Sequence, residues 1–239
     1  SIILLCTSCT SDDPVNVEPT VNYNLDAFPY SKLSTYQFFK GNLKDMNPIE
    51  SVLPYEPASA LFTDYAHKKR FVWMPNGAIA TYNSDHSVLN FPIGTILIKS
   101  FYYDNMLPSN QTKIIETRLM IRKATGWIFA NYVWNNEQTE AFLDNNGSTV
   151  AISWIQDGNT KTANYRIPNE VECLTCHKYN EVAIPIGPKP QNLNTNYTYS
   201  SGSKNQLQKW KDFGYLQSFP SSIYSTVNYK DESQPLELR

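Results

Sequence analysis

Residues 70–167 set the fold class of this chain. Within them about six strand-like stretches recur at the spacing of an antiparallel sandwich, each closed by a turn signal. Residues 94–103 are apolar on both faces and read as a central strand. Residues 116–122 alternate: Glu116, Arg118, Met120 and Arg122 share one face, and Thr117, Leu119 and Ile121 the other. Residues 127–134 form a second long aromatic strand. Residues 149–156 and 160–167 flank Asp157-Gly158, a hairpin signal because both central residues of a tight hairpin turn take positive φ. By the same reasoning, Asn76-Gly77 folds the strand at residues 70–74 onto a return strand at residues 78–82. Residues 135–144 predict a short helix.

After Pro168 the character changes. Residues 170–179 predict a helical turn, residues 184–190 a stiff proline-rich loop, residues 200–203 a polar linker, and residues 205–214 a helix ending at Gly214. The expectation is a mainly β chain. A sandwich-like antiparallel domain spans residues 28–168, and a small irregular, partly helical region spans residues 169–239. Charged residues are sparse at 18% while aromatics reach 13%, a balance that suits an exported β-rich protein. The net charge of −2 argues against nucleic acid as a partner, and Lys68-Lys69-Arg70, the one dense basic run, reads as a solvated face.

The chemistry is concentrated in Cys173-Leu174-Thr175-Cys176-His177. This is the spacing at which two thiols add to the vinyl groups of haem and the adjacent imidazole takes the iron. With 4 Cys and 3 His in 239 residues, chance yields roughly 10⁻³ such matches. Rival readings of the pentapeptide are weaker. A thiol-redox Cys-x-x-Cys expects a βαβ context, and this one follows a β-meander. Structural zinc lacks a downstream Cys or His to complete four ligands. A plain disulfide staple with a bystander His is the blandest alternative. By residue type, the sixth iron ligand comes from Met46, Met74, Met106, Met120, His67 and His86, or is missing, leaving an open position. Glu170, Glu172 and Glu181, the carboxylates nearest the motif, read as solvated groups.

The N-terminus points to export. Residues 1–9 resemble the end of a lipoprotein signal, with Thr7-Ser8 before Cys9 and Ser11-Asp12-Asp13 after it. Cys9 is the expected lipidated residue, since Cys6 follows bulky Leu5. Residues 10–27 are then a flexible tether to a membrane anchor. The alternative is a local disulfide between Cys6 and Cys9. No later stretch is apolar enough to span a bilayer. The final residues read as a truncation point.

Several ordered segments carry a resemblance. They include Leu61-Phe62-Thr63-Asp64-Tyr65-Ala66, Met74-Pro75-Asn76-Gly77, Phe91-Pro92-Ile93-Gly94-Thr95 and Glu116-Thr117-Arg118-Leu119. Tyr132-Val133-Trp134-Asn135, Tyr165-Arg166-Ile167-Pro168, the Cys173–His177 motif and Pro185-Ile186-Gly187 follow. Together, over most of residues 28–215, they resemble a poorly characterised family of exported bacterial c-type cytochromes with a β-rich N-terminal region followed by CxxCH. The resemblance implies covalent haem c on Cys173, Cys176 and His177, one haem in this chain, and a second site further downstream in longer, diheme members. The function expected is electron transfer to a redox partner by a periplasmic or cell-surface lipoprotein. Alternatives are a haem-dependent oxidoreductase that binds its substrate on the β domain, and a non-redox binding lipoprotein with a Cys-x-x-Cys disulfide.

Overall fold

A computed structural model describes residues 19–235. The fold is mainly β and antiparallel, as the strand pattern predicts. Three two-residue strands open it: β1 (Phe39–Lys40) and β2 (Asn47–Pro48), which pair with each other, and β3 (Leu53–Pro54). The main strands follow as β4 (His67–Trp73), β5 (Ile96–Met106), β6 (Gln111–Lys123), β7 (Gly126–Trp134), β8 (Ala141–Leu143), β9 (Ser148–Gln156) and β10 (Asn159–Ile167). One eight-stranded sheet runs β10-β9-β5-β6-β7-β8, and β4 lies against β5 with β3 outside it. Strand β5 is central: β6 covers one edge, while β4 and then β9 share the other. That explains its apolar residues on both faces.

The two faces of the sheet are packed by different ends of the chain. On one face Phe71, Trp73, Ile96, Ile98, Leu119 and Ile121 meet Val21, Phe28, Leu33, Tyr36 and Phe38 from the irregular N-terminal segment. On the other, Val72, Leu97, Met120 and Phe129 meet Cys173, Leu193, Leu207 and Trp210 from the C-terminal segment. Trp210 is fully buried there and stacks edge-on against Tyr55 at 5.6 Å. A fully buried aromatic of this size stabilises by a few kcal/mol. The C-terminal segment holds α1 (Glu170–Leu174), β11 (Lys178–Tyr179), β12 (Val182–Ala183), α2 (Pro190–Leu193), β13 (Asn196–Tyr199), β14 (Gly202–Asn205) and α3 (Gln206–Asp212). No helix among the described residues is long and apolar enough to cross a membrane.

Several local expectations are realised. Asp157 and Gly158 take φ of 51° and 74° between β9 and β10, the doubly left-handed turn that a two-residue hairpin requires. Helix α3 stops one residue before the Phe213-Gly214 pair, where Gly214 has φ 85°. Three expectations are corrected. The Asn76-Gly77 turn closes with Ala78 N donating to Pro75 O at 2.9 Å, but only Gly77 is left-handed. That is a type II geometry, which splays its arms. Residues 78–82 therefore do not pair with β4; Ala80 bridges Leu216 and Thr81 bridges Asn90. Residues 135–144 form a turn and β8, not a helix. Asn135 Oδ1 accepts from the N–H groups of Thr139 and Glu140, and Gln138 is left-handed at φ 58°. Such side-chain bonds to the backbone compete with a helix. Residues 200–203 are no linker; they turn and enter β14 of the β13–β14 hairpin.

Candidate functional site

The Cys-x-x-Cys-His segment is placed by a short, well-capped helix. Asn169 caps α1 by accepting from Glu172 N at 2.8 Å, and the Glu172 carboxylate accepts in return from Asn169 N at 2.8 Å. This fixes where Cys173 enters the core. The thiol is 7% exposed, and Asn131 from β7 approaches it with its amide at 3.8 Å. Burial pushes the Cys173 thiol up, against the opposing pull of the Asn131 amide and Arg118. Cys176, one turn on, is exposed, and both thiols are free. A reactive Cys-x-x-Cys needs a low-pKa attacking thiol, so the inner position works against the thiol-redox reading.

His177 is held by the hairpin that follows. Residues Asn180 and Glu181 are both left-handed, at φ 47° and 63°, and turn β11 into β12. The return brings Ile184 back to His177: Ile184 N donates to His177 O at 3.0 Å, and the His177 Nδ1 lies 3.0 Å from Ile184 O. A carbonyl only accepts, so Nδ1 carries the proton and Nε2 keeps its lone pair. Burial, reinforced by Lys99 and Arg118 and opposed by the Ile184 bond, pulls the imidazole pKa below its ordinary value. Burial thus favours the neutral ring, which meets Phe129 in a T-shaped contact with the ring centroids 5.7 Å apart.

Cys173 and His177 line one wall of a cavity of about 410 Å3. The sheet forms the opposite wall, and its register decides what faces in. Val72, Leu97, Met120 and Phe129 stand in one cross-strand row; Arg70, Lys99, Arg118 and Asn131 stand in the next. Arg118 is paired with buried Glu116 through Nε at 3.0 Å and Nη2 at 2.5 Å, and Tyr165 Oη donates to the same carboxylate at 2.6 Å. Burial, then the neighbouring Arg70, Arg118 and Lys68, pushes Lys99 down to about 7, with Glu116 opposing.

The candidates for the sixth ligand are scattered. Met46 is buried on the N-terminal face, Met74 in the C-terminal core, and Met106 at the β9 end of the sheet. His67 is exposed at the edge beside Asp104, and His86 is exposed beside Gln191. Met120 alone of the six lines the cavity that His177 lines. Glu170, Glu172 and Glu181 are exposed. Cys9 and Cys6 lie outside the described residues. Among the described residues no three His, Cys, Asp or Glu gather where they could hold a metal ion.

These residues fit a haem carried on the pentapeptide. An imidazole is presented with a fixed tautomer and a free Nε2, two thiols are unspent, and a thioether faces the same cavity. The cation row was not singled out from sequence. Arg70, Lys99 and Arg118 are distant in the chain, and only the pairing register aligns them. Compared with known proteins, the chain matches no family model, no curated relative and no solved structure.

Proposed function

We propose that this chain is a c-type cytochrome-like electron-transfer protein, holding one haem through thioether bonds from Cys173 and Cys176 with His177 on the iron. The observation that carries the reading is the hydrogen bond from His177 Nδ1 to Ile184 O at 3.0 Å. It sets the tautomer and ring orientation that an axial histidine needs before any iron is present. The haem supplies reversible one-electron exchange. The chain's own residues do the rest. The β11–β12 turn fixes the imidazole, burial favours its neutral form, and Phe129 packs against it in a T-shaped contact. Cys173 anchors from the core side and Cys176 from the solvent side. Met120, the candidate thioether that lines the same cavity as His177, would be the residue to hold the sixth position.

The export reading joins this one. A lipid on Cys9 would hold the haem domain at a Gram-negative periplasmic or outer-membrane surface, where it meets a redox protein; the expected tether of residues 10–27 is shorter than the sequence suggests, since Val21 already packs into the sheet core and Asn22 N donates to Tyr36 O at 2.9 Å. In longer members of the resembling family a second haem follows. The cavity beside His177 favours a second reading, a haem-dependent oxidoreductase.

The test is production of the full chain in a host that attaches haem c, followed by acid–acetone extraction. A Soret band that stays with the protein is the expected result, and changing both Cys173 and Cys176 to Ser leaves the haem extractable. Colourless protein refutes the proposal. A Soret shift on adding carbon monoxide to the reduced protein selects the oxidoreductase. In Met120→Leu the loss of the weak red band of thioether-ligated ferric haem is the expected sign of the sixth ligand.

A further inference from the structure

The row Arg70–Lys99–Arg118 is hard to account for by folding alone. Like charges directly opposite one another on neighbouring strands are destabilising, yet Arg70 pairs in register with Lys99, and Lys99 with Arg118. Arg70 is 7% exposed. Among the described residues, Arg118 has Glu116 as ion partner, while neither Arg70 nor Lys99 forms an ion pair. Arg70, Lys99, Arg118 and Lys189 line the cavity with no carboxylate among the lining residues, and of these four only Arg118 has an ion partner among the described residues, Glu116 behind the wall. The cavity has a second mark of an occupant. Asn131 Oδ1 and Thr226 Oγ1 are buried with no hydrogen-bond partner, and both residues line it. Asn131 itself is 1% exposed and sits opposite Arg118. Buried polar atoms are almost always satisfied, so two orphans lining one cavity, Asn131 from the sheet and Thr226 from the C-terminal segment, point to missing polar contacts.

We propose that the cavity is a recognition site for a pair of carboxylates, held by Arg70, Lys99 and Arg118. Thr226 Oγ1 donates to the same anion, and a water shared with the carboxylates serves Asn131 Oδ1. The volume of about 410 Å3 lies at the small end of ligand pockets and suits a short dicarboxylic acid. The two carboxylates have two sources. One is a free dicarboxylate bound beside the iron site; the other is the pair of carboxylate side chains on a haem held by Cys173 and Cys176. The site does not depend on haem attachment.

The surroundings of Lys99 give a diagnostic readout. The charged and titratable groups around it are Lys68 and Arg70 from β4, Arg118 and Glu116 from β6, and, on the cavity lining, Cys173 from α1, His177 from the loop after it and Lys189. With Lys99 near 7, an arriving dianion restores its proton, so binding at pH 8 takes up protons.

The experiment is calorimetric titration of the full chain with succinate, at pH 8 in two buffers of different ionisation enthalpy. It is run on protein made with and without the haem-attachment machinery. Haem-free chain is expected to bind succinate saturably with proton uptake and to ignore dimethyl succinate. Lys99→Met and Arg70→Met, each checked for native near-UV circular dichroism, weaken binding at least tenfold. If haem-loaded chain binds succinate as well, the natural occupant is a free acid. If it does not, the porphyrin's own carboxylates fill the site. Absence of saturable binding to haem-free chain, or equal affinity in both variants, overturns the proposal. A colourless protein that still binds succinate would defeat the haem reading and leave this site standing.

Discussion

Glu116→Gln is the substitution most informative about the sheet face. Glu116 is fully buried and is the carboxylate that Arg118 meets, with Arg118 itself 25% exposed. Two unit charges about 4 Å apart attract by about 4 kcal/mol at the effective dielectric of a protein site. Removing one partner of a buried pair costs about 3–5 kcal/mol, because the other charge stays behind unpaired. Here the stranded charge also faces Lys99, and the Tyr165 hydroxyl exchanges a carboxylate acceptor for a neutral amide. We expect a loss of about 4 kcal/mol, which for a chain of this size lowers Tm by roughly 8–16 °C. Urea unfolding should show a lower midpoint with an unchanged slope. The control is Glu116→Gln combined with Arg118→Met, which removes both charges and should recover at least half of the loss. A single-variant loss below about 1 kcal/mol refutes the pairing argument. A double variant no more stable than the single one would show that the deficit does not come from the stranded guanidinium.

Three further outcomes follow from the same geometry. Gly147 has φ 78°, and a Cβ there would lie 2.7 Å from Asn169 N, so Gly147→Ala should disturb the α1 cap and cost about 2 kcal/mol or more, measured as a Tm fall. Glu181→Gly relieves a left-handed non-glycine residue in the β11–β12 turn and gives up only the exposed 3.1 Å pair with Lys178, so stability should rise by about 1 kcal/mol in urea; a fall would count against the turn's role. The third is a pH effect. Folding holds the Lys99 pKa down at about 7 and Lys68 at about 8, so between pH 7 and 10 the unfolded chain binds more protons and stability rises with pH. From pH 7 to 9 the ligand-free chain should gain roughly 2–4 kcal/mol, and Lys99→Met should abolish most of that slope.

The strands were legible because their signals are local. The alternation over Glu116–Thr117–Arg118–Leu119 states which residues share a face, and Asp157-Gly158 needs no tertiary help to turn. The pentapeptide was legible for the same reason: its spacing is contiguous. What escaped depends on register or on side-chain bonds. The cation row exists only because β4, β5, β6 and β7 pair as they do, and one residue of slip would send Lys99 to the opposite face. Met120 differs from Met46, Met74 and Met106 by position in that register, which residue type cannot reveal. Residues 135–144 misread as helix because Gln138 spends its side chain on Ile114, donating to its carbonyl at 3.1 Å and accepting from its N–H at 2.7 Å. The β13–β14 hairpin misread as a linker because Gly202, Ser203, Lys204 and Asn205 are exposed or half-exposed and carry no apolar alternation.

The unequal placement of the two motif thiols has a kinetic meaning. Cys176 stands in solvent, while Cys173 lies inside the C-terminal core with a raised pKa. Before either is committed, a thiol reagent meets them in a fixed order. The outer sulfur reacts at the surface, while the inner one is met either through the cavity it lines or when α1 lifts off the sheet. For a reagent too bulky to enter the cavity, the second labelling event is a stopwatch for that opening, and its rate reports how tightly the Asn169 cap and the His177–Ile184 bond hold the segment closed.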